Sequence, residues 1–229
     1  MKHKLITGAL GAAAALLLAG AASAAEIYTV QVWTDGPIAS ANNLADPAHM
    51  PVGTPTATFT WTGDINWSDT SAQNSTSAGA IASNFLDGFS TQASNFSSAT
   101  LTEAQFLASS LTIAGDAYST FFHISGSYVS PTAVNGAFTH DDGATVYVDN
   151  VYAGGTSAET SVVSSPYTLA AGSHAVDVYY VAGNGTPSVL NFSSPGGVPE
   201  PASWALMILG FGAAGAGVRR RRTQTLVAA

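Results

Sequence analysis

Between residues 25 and 199 the chain contains no Lys and no Arg, although thirteen of its 14 Asp and Glu residues lie there. All six basic residues sit at the two ends: Lys2 and Lys4, then Arg219, Arg220, Arg221 and Arg222. No salt bridge is therefore expected in the body, and any cluster of carboxylates there needs a metal ion, a proton or water. The same deficit excludes nucleic acid as a partner, because sequence-independent binding requires cations against the phosphates. It likewise excludes adhesion of the body to anionic headgroups. Only 9% of the chain is charged, against roughly 25% in a typical domain, so the surface draws its polarity from Ser, Thr and Asn. The 229 residues suit a single domain without disulfides, there being no Cys.

Both ends read as addresses. Lys2 and Lys4 precede an apolar Ala- and Leu-rich stretch over 5–20, and Ala22, Ser23 and Ala24 supply a small-residue cleavage site. This is the layout of a secretory signal helix over 1–24, removed by signal peptidase. Near the other end, 202–218 carries no charge and is followed by the four arginines. As a helix it rises about 25 Å, the short limit for a transmembrane span. The arginines would hold its C-terminal flank, and the tail 223–229, in the cytoplasm. Pro199, Glu200 and Pro201 stand just before it, an extended and accessible peptide because prolines on both sides forbid helix.

The order of these parts, with Ser203-Trp204-Ala205-Leu206-Met207-Ile208 and Gly210-Phe211-Gly212 between tripeptide and arginines, resembles the PEP-CTERM sorting signal of Gram-negative bacteria, here over 198–222. The resemblance implies recognition of Pro199-Glu200-Pro201 by a membrane exosortase, removal of the tail, and release or attachment at the cell surface. It also implies an association with exopolysaccharide.

The intervening segment, 25–197, alternates with period two. Thr54, Thr56, Thr58, Thr60 and Thr62 alternate with Pro55, Ala57, Phe59 and Trp61, predicting a strand with one apolar and one hydroxyl face, the latter a solvent-facing edge. Residues 26–33 and 121–129 are further strands, rich in aromatic and β-branched side chains. Ala144, Val146 and Val148 open a hairpin that turns at Asp149-Asn150 into Val151-Tyr152, and 174–181 and 188–193 continue the series. One helix of about two turns is predicted after a capping box at Thr100 and Glu103. Residues 69–99 read as a long surface excursion. Many short strands between turn signals favour a mainly β chain, an antiparallel β-sandwich.

The densest polar cluster is Thr139-His140-Asp141-Asp142-Gly143, bounded by strand residues. Two adjacent carboxylates with no basic partner suit a hard cation, calcium being the natural candidate. The alternative is a solvated Asp-Gly turn. The run from Phe138 to Asp149, with Leu169-Ala170-Ala171-Gly172-Ser173-His174 and Tyr179-Tyr180 after it, resembles the central motif of the PA14 family. The resemblance implies a PA14-like jelly-roll sandwich in which Asp141 and Asp142, joined by a cis peptide, bind Ca2+. The calcium then holds two hydroxyls of a sugar, and Asn184 is the ligand from a second loop.

Enzyme readings find less support, since the chain has no Gly-x-Ser-x-Gly elbow and no Cys nucleophile. A transition-metal site of His123, His140 and Asp141 and a paired-carboxylate glycan hydrolase stay open. So does a purely structural surface or biofilm protein, for which Trp33, Trp61 and Trp67 are core or rim packing. The reading as a whole is an exported, non-catalytic surface or matrix protein, an inner-membrane intermediate before sorting, that binds calcium and through it exopolysaccharide. N-terminal sequencing of the exported protein is expected to start at Ala25; a start inside the apolar stretch would redraw the leader.

Overall fold

The computed structural model describes residues 26–36, 44–70, 79–112, 119–130, 132–183, 185–193 and 211. The predicted signal helix over 1–24 and transmembrane helix over 202–218 lie outside the described residues, Phe211 apart. Among the described residues no helix is long and apolar enough to cross a membrane.

Eleven strands carry the alternation: β1 Ile27–Gly36, β2 Ala57–Thr62, β3 Ile65–Asp69, β4 Ala93–Ser97, β5 Ser119–Ser130 and β6 Val134–Asp141, then β7 Ala144–Val148, β8 Val151–Thr156, β9 Val163–Leu169, β10 Gly172–Ala182 and β11 Ser188–Phe192. They hydrogen-bond in the order β3-β11-β6-β9-β8-β7-β10-β5-β1-β2-β4, every neighbouring pair antiparallel. The ladder is thinnest between β8 and β9, where only Gly154 and Tyr167 pair. There the sheet turns a corner and divides into a four-stranded and a seven-stranded layer. Gly154 is required at this corner, because a Cβ on it would stand 2.1 Å from the Pro166 carbonyl oxygen.

Aromatic contacts show the two layers closing on each other. Trp67 of β3, at one end of the hydrogen-bonded order, meets Trp61 of β2 edge-on at 5.1 Å and Phe122 of β5 at 5.9 Å. Strands so far apart in the ladder touch only if the sheet folds over its own apolar face, which makes the architecture a β-sandwich. Trp61 and Trp67 are fully buried and belong to its core. On β2 the residues Ala57, Phe59 and Trp61 are buried and the threonines between them half-buried, as the alternation requires. β2 is not an edge, however: β4 pairs along its outer side, and Asn95 donates to the Thr60 hydroxyl.

Two further expectations need correction. The capping box is formed by Thr102 and Gln105, whose side chains bond each other's backbone N–H. The helix, α3, is Glu103–Leu107, little more than one turn. The segment after Asp69 is not a surface excursion where it is described. Its short helices α1, Ala82–Phe85, and α2, Phe89–Gln92, insert Phe85, Leu86 and Phe89 into the core. Phe85 stacks on Tyr180 at 5.6 Å and also touches Trp67 and Phe122. Single aromatic residues spaced among Ser and Asn carry no periodicity, so their burial is set by the gap between the layers.

The hairpin at Asp149-Asn150 holds as read. Both residues have positive φ, 48° and 65°, the twist that a two-residue β-turn needs and that Asp and Asn tolerate. Outside the main core, Trp33, Phe121, Tyr179 and Val181 pack on the other face of the large layer. They are overlaid by residues 44–53 through Ala45 and the bond from Trp33 Nε1 to the Gly53 carbonyl.

Replacing Phe85 by Ala is expected to lower unfolding free energy by about 3–5 kcal/mol, seen as a lower denaturant midpoint at unchanged slope. Val151→Ala, at an exposed position, is expected to change it by less than about 0.5 kcal/mol. Equal effects would show that Phe85 is not a core residue.

Candidate functional site

β6 delivers Asp141 to the corner of the sandwich and β7 departs from Ala144, leaving Asp142 and Gly143 as the link. The peptide between Asp141 and Asp142 is cis, the geometry that the PA14 resemblance implies. Both aspartates are only 6% exposed. Their backbone is tied down on several sides: Tyr180 donates its hydroxyl to the Asp141 carbonyl at 2.5 Å, and Thr160 donates to the Asp142 carbonyl at 3.0 Å. His140 Nδ1 donates to that same carbonyl at 2.6 Å. Gly143 fits because a Cβ there would stand 2.1 Å from the Ser157 carbonyl oxygen.

The two side chains share a cleft of about 480 Å³. Glu159, Thr160 and Ser161, from the β8–β9 loop, line it with them, as do Gly183, Thr186 and Pro187 from the β10–β11 loop. The Gly183 N–H donates to Asp142 Oδ2 at 2.8 Å, and a Cβ at position 183 would stand 3.2 Å from that same oxygen, a tight contact. The Thr186 hydroxyl oxygen, at the same cleft, is buried with no hydrogen-bond partner.

Burial pushes both aspartate carboxyls above the usual carboxylate range. For Asp142 the negative charge of Asp141 adds to the shift, with a smaller push from Glu159, against the Gly183 N–H. For Asp141 a hydrogen bond with Asp142 and a backbone bond from Val162 oppose burial, while Glu159 again raises it. Without a cation the pair therefore tends to keep a proton between its two carboxyl groups. With one, both can ionise.

The resemblance to a PA14 motif pointed to Asp141, Asp142 and Asn184. The first two come together in the cleft; Asn184 lies outside the described residues. So do the sorting residues Pro199, Glu200 and Pro201, the leader residues Ala22, Ser23 and Ala24, and Arg219, Arg220, Arg221 and Arg222. The transition-metal alternative is not assembled. His140 is fully buried, with Nε2 on Ser165 Oγ at 2.8 Å and Nδ1 committed as above. His123 instead sits between Asp177 and Gln31 and stacks on Tyr179. Among the described residues no three His, Asp or Glu side chains converge tightly enough to hold a metal unaided.

Glu159, Thr160 and Thr186 were missed by sequence reasoning. Glu159 lies 18 positions beyond Asp141 on the β8–β9 loop, and no spacing rule links a loop residue to a strand end on another hairpin. Its sole signal was an isolated carboxylate within a Ser- and Thr-rich loop. The expectation of no salt bridge also needs amendment, since histidine was left out of it. His49, His123 and His174 meet Asp46, Asp177 and Asp149 at 2.6–2.8 Å.

Comparison with known proteins places both halves of the chain. The family model of the PEP-CTERM protein-sorting motif matches residues 197–222. No curated protein matches the sequence. Among solved structures, the PA14 sugar-binding domain from an RTX adhesin is similar at TM-score 0.50 and 12% identity, covering 73% of this chain and 88% of that one. The PA14 domain of the MpAFP antifreeze protein is similar at TM-score 0.47 and 16% identity, covering 76% and 87%. The body thus has a PA14-like fold, and the tail carries a PEP-CTERM motif, which marks the chain for exosortase processing, export and the cell surface.

The raised carboxyls set the sign of a pH effect. An unfolded Asp titrates near pH ~4, so at higher pH the metal-free folded state binds more protons than the unfolded one. Its stability falls as pH rises from about 4 through neutrality. In chelator, Asp142→Asn is expected to flatten that fall and to melt at least about 3 °C above wild type at pH 8. Parallel curves for the two proteins would mean that the pair is not coupled by burial.

Proposed function

We propose that this chain is an exported, exosortase-sorted surface protein whose sandwich binds a glycan, without catalysis, through a calcium ion held at Asp141 and Asp142. The observation that carries the reading is the pair itself: two buried carboxylates on one peptide, in a cleft, in a body with neither Lys nor Arg. The donor set fits a hard cation. Calcium takes six to eight oxygens from carboxylates, carbonyls, amides and water, and the buried, unpartnered Thr186 hydroxyl adds an oxygen at the same cleft. Asp141, Asp142 and Asn184 would hold the ion, which when bound supplies open coordination positions for vicinal sugar hydroxyls. The chain's own part is to aim the carboxylates, through Gly183 on Asp142 Oδ2 and through His140, Thr160 and Tyr180 on the backbone. Likeness to a domain named for sugar binding supports the glycan, and a sorting signal associated with exopolysaccharide supports its source.

The arrangement fits hydrolysis poorly. Glycoside hydrolysis uses carboxyls ~5–9.5 Å apart on opposite sides of the scissile bond, whereas Asp141 and Asp142 are successive residues whose carboxyl groups interact directly in one cleft. A structural role without a ligand is the second reading. It is favoured by one observation, that no aromatic side chain among the described residues lines the cleft to stack on a sugar. Before sorting, the 202–218 segment would hold the chain in the inner membrane, with the arginines at the cytoplasmic side.

Calcium at ~100 times its dissociation constant is expected to stabilise the folded chain by about 2.7 kcal/mol, read as a rise in thermal midpoint over the chelated protein. Magnesium should not reproduce the rise, and Asp141→Asn should abolish it. A midpoint indifferent to calcium would leave the cleft a solvated turn and favour the structural reading.

A further inference from the structure

Glu159 stands apart from the aspartate pair. It lines the same cleft from the β8–β9 loop, but its side chain is exposed where theirs are buried. It does not converge with Asp141 and Asp142 into a three-carboxylate metal cage, yet its charge reaches both of them. On the other loop, Thr186 also lines the cleft, and its hydroxyl oxygen is buried with no hydrogen-bond partner. A divalent ion at the pair cancels its two charges and leaves Glu159 over. Nothing nearby offsets that remaining charge: the body has no Lys or Arg, and His140 is buried with both ring nitrogens engaged.

Resting on the calcium-and-glycan reading above, we propose that Glu159 selects the ligand by charge, admitting neutral sugars to the cation and repelling uronates and other anionic sugars. A ligand carboxylate entering the cleft meets a fixed negative charge at its rim, whereas a neutral vicinal diol does not. Two like charges ~7 Å apart at an effective dielectric constant of ~40 repel enough to lower affinity roughly sevenfold. The Debye length is about 8 Å at physiological salt, so the discrimination shrinks as salt is raised. The surface position of Glu159 makes Glu159→Gln a substitution the fold tolerates.

The test is calorimetric titration of the full chain in calcium with matched pairs, glucose with glucuronic acid, galactose with galacturonic acid and mannose with mannuronic acid. Wild type is expected to bind the neutral member of a pair more tightly. Glu159→Gln is expected to narrow that ratio roughly sevenfold by strengthening the uronate, with the hexose changed less than twofold and the calcium-induced rise in thermal midpoint retained. The narrowing should fade in ~0.5 M salt. An unchanged ratio in Glu159→Gln overturns the selector while leaving the glycan site standing. Loss of the calcium-induced rise in that variant also overturns it, by making Glu159 a cation ligand. A wild type that responds to calcium but binds none of the six sugars overturns the glycan reading, and the selector with it.

Discussion

Carboxylates without cationic side chains are the constraint around which this molecule is arranged. In most domains a buried Asp or Glu is met by Arg or Lys, but here those are absent between residues 25 and 199. The fold answers with neutral donors and with histidine. Glu26 accepts from the Tyr28 hydroxyl, Asp69 from the Ile81 N–H, and Asp149 and Asp177 from His174 and His123. These contacts tie separate elements together: His123 on β5 bridges Gln31 on β1 and Asp177 on β10. The Asp141–Asp142 pair differs, because its two groups face each other and one backbone N–H, from Gly183, supports Asp142. It is the point where the general solution is incomplete and an outside cation has most to add.

The sandwich depends on a second kind of contact, the aromatic packing that closes the layers. Trp67 is surrounded by Trp61, Phe85 and Phe122. Burial of an indole releases much apolar surface from water, and edge-to-face pairs add roughly 0.5–1.5 kcal/mol each. Its Nε1 is buried with no hydrogen-bond partner, a penalty of about 1–3 kcal/mol that the packing must outweigh. The closure also brings the site loops together. β10 carries Tyr180 under the Asp141 carbonyl while Phe85 stacks on its ring, so the core and the cleft share a side chain.

Legibility followed periodicity. Strands with alternating apolar residues, such as 57–62 and 144–148, were readable because a period of two assigns each side chain to a face whatever the partner strand. The 80–97 region was not, since Phe85, Leu86 and Phe89 follow no period and are buried only because a gap exists between the layers. The helix cap slipped by two residues because Thr100 and Thr102 both satisfy the local pattern, and the outcome turned on where Phe106 had to enter the core. At the site, Asp141 and Asp142 were readable as adjacent carboxylates bounded by strands. Glu159, Thr160 and Thr186 were not, since they reach the cleft from two other loops.

By itself the sequence determined the charge vacancy, the alternation that makes the body β, and the sorting motif at the C-terminal end, because each is a property of composition or of neighbours along the chain. The tertiary structure alone decided where the sheet folds over, at the Gly154–Tyr167 bridge, and which carboxylates then confront one another. That decision is non-local: Asp141, Glu159 and Thr186 line one cleft only once the end of β6, the β8–β9 loop and the β10–β11 loop are brought together by packing of the core beneath them.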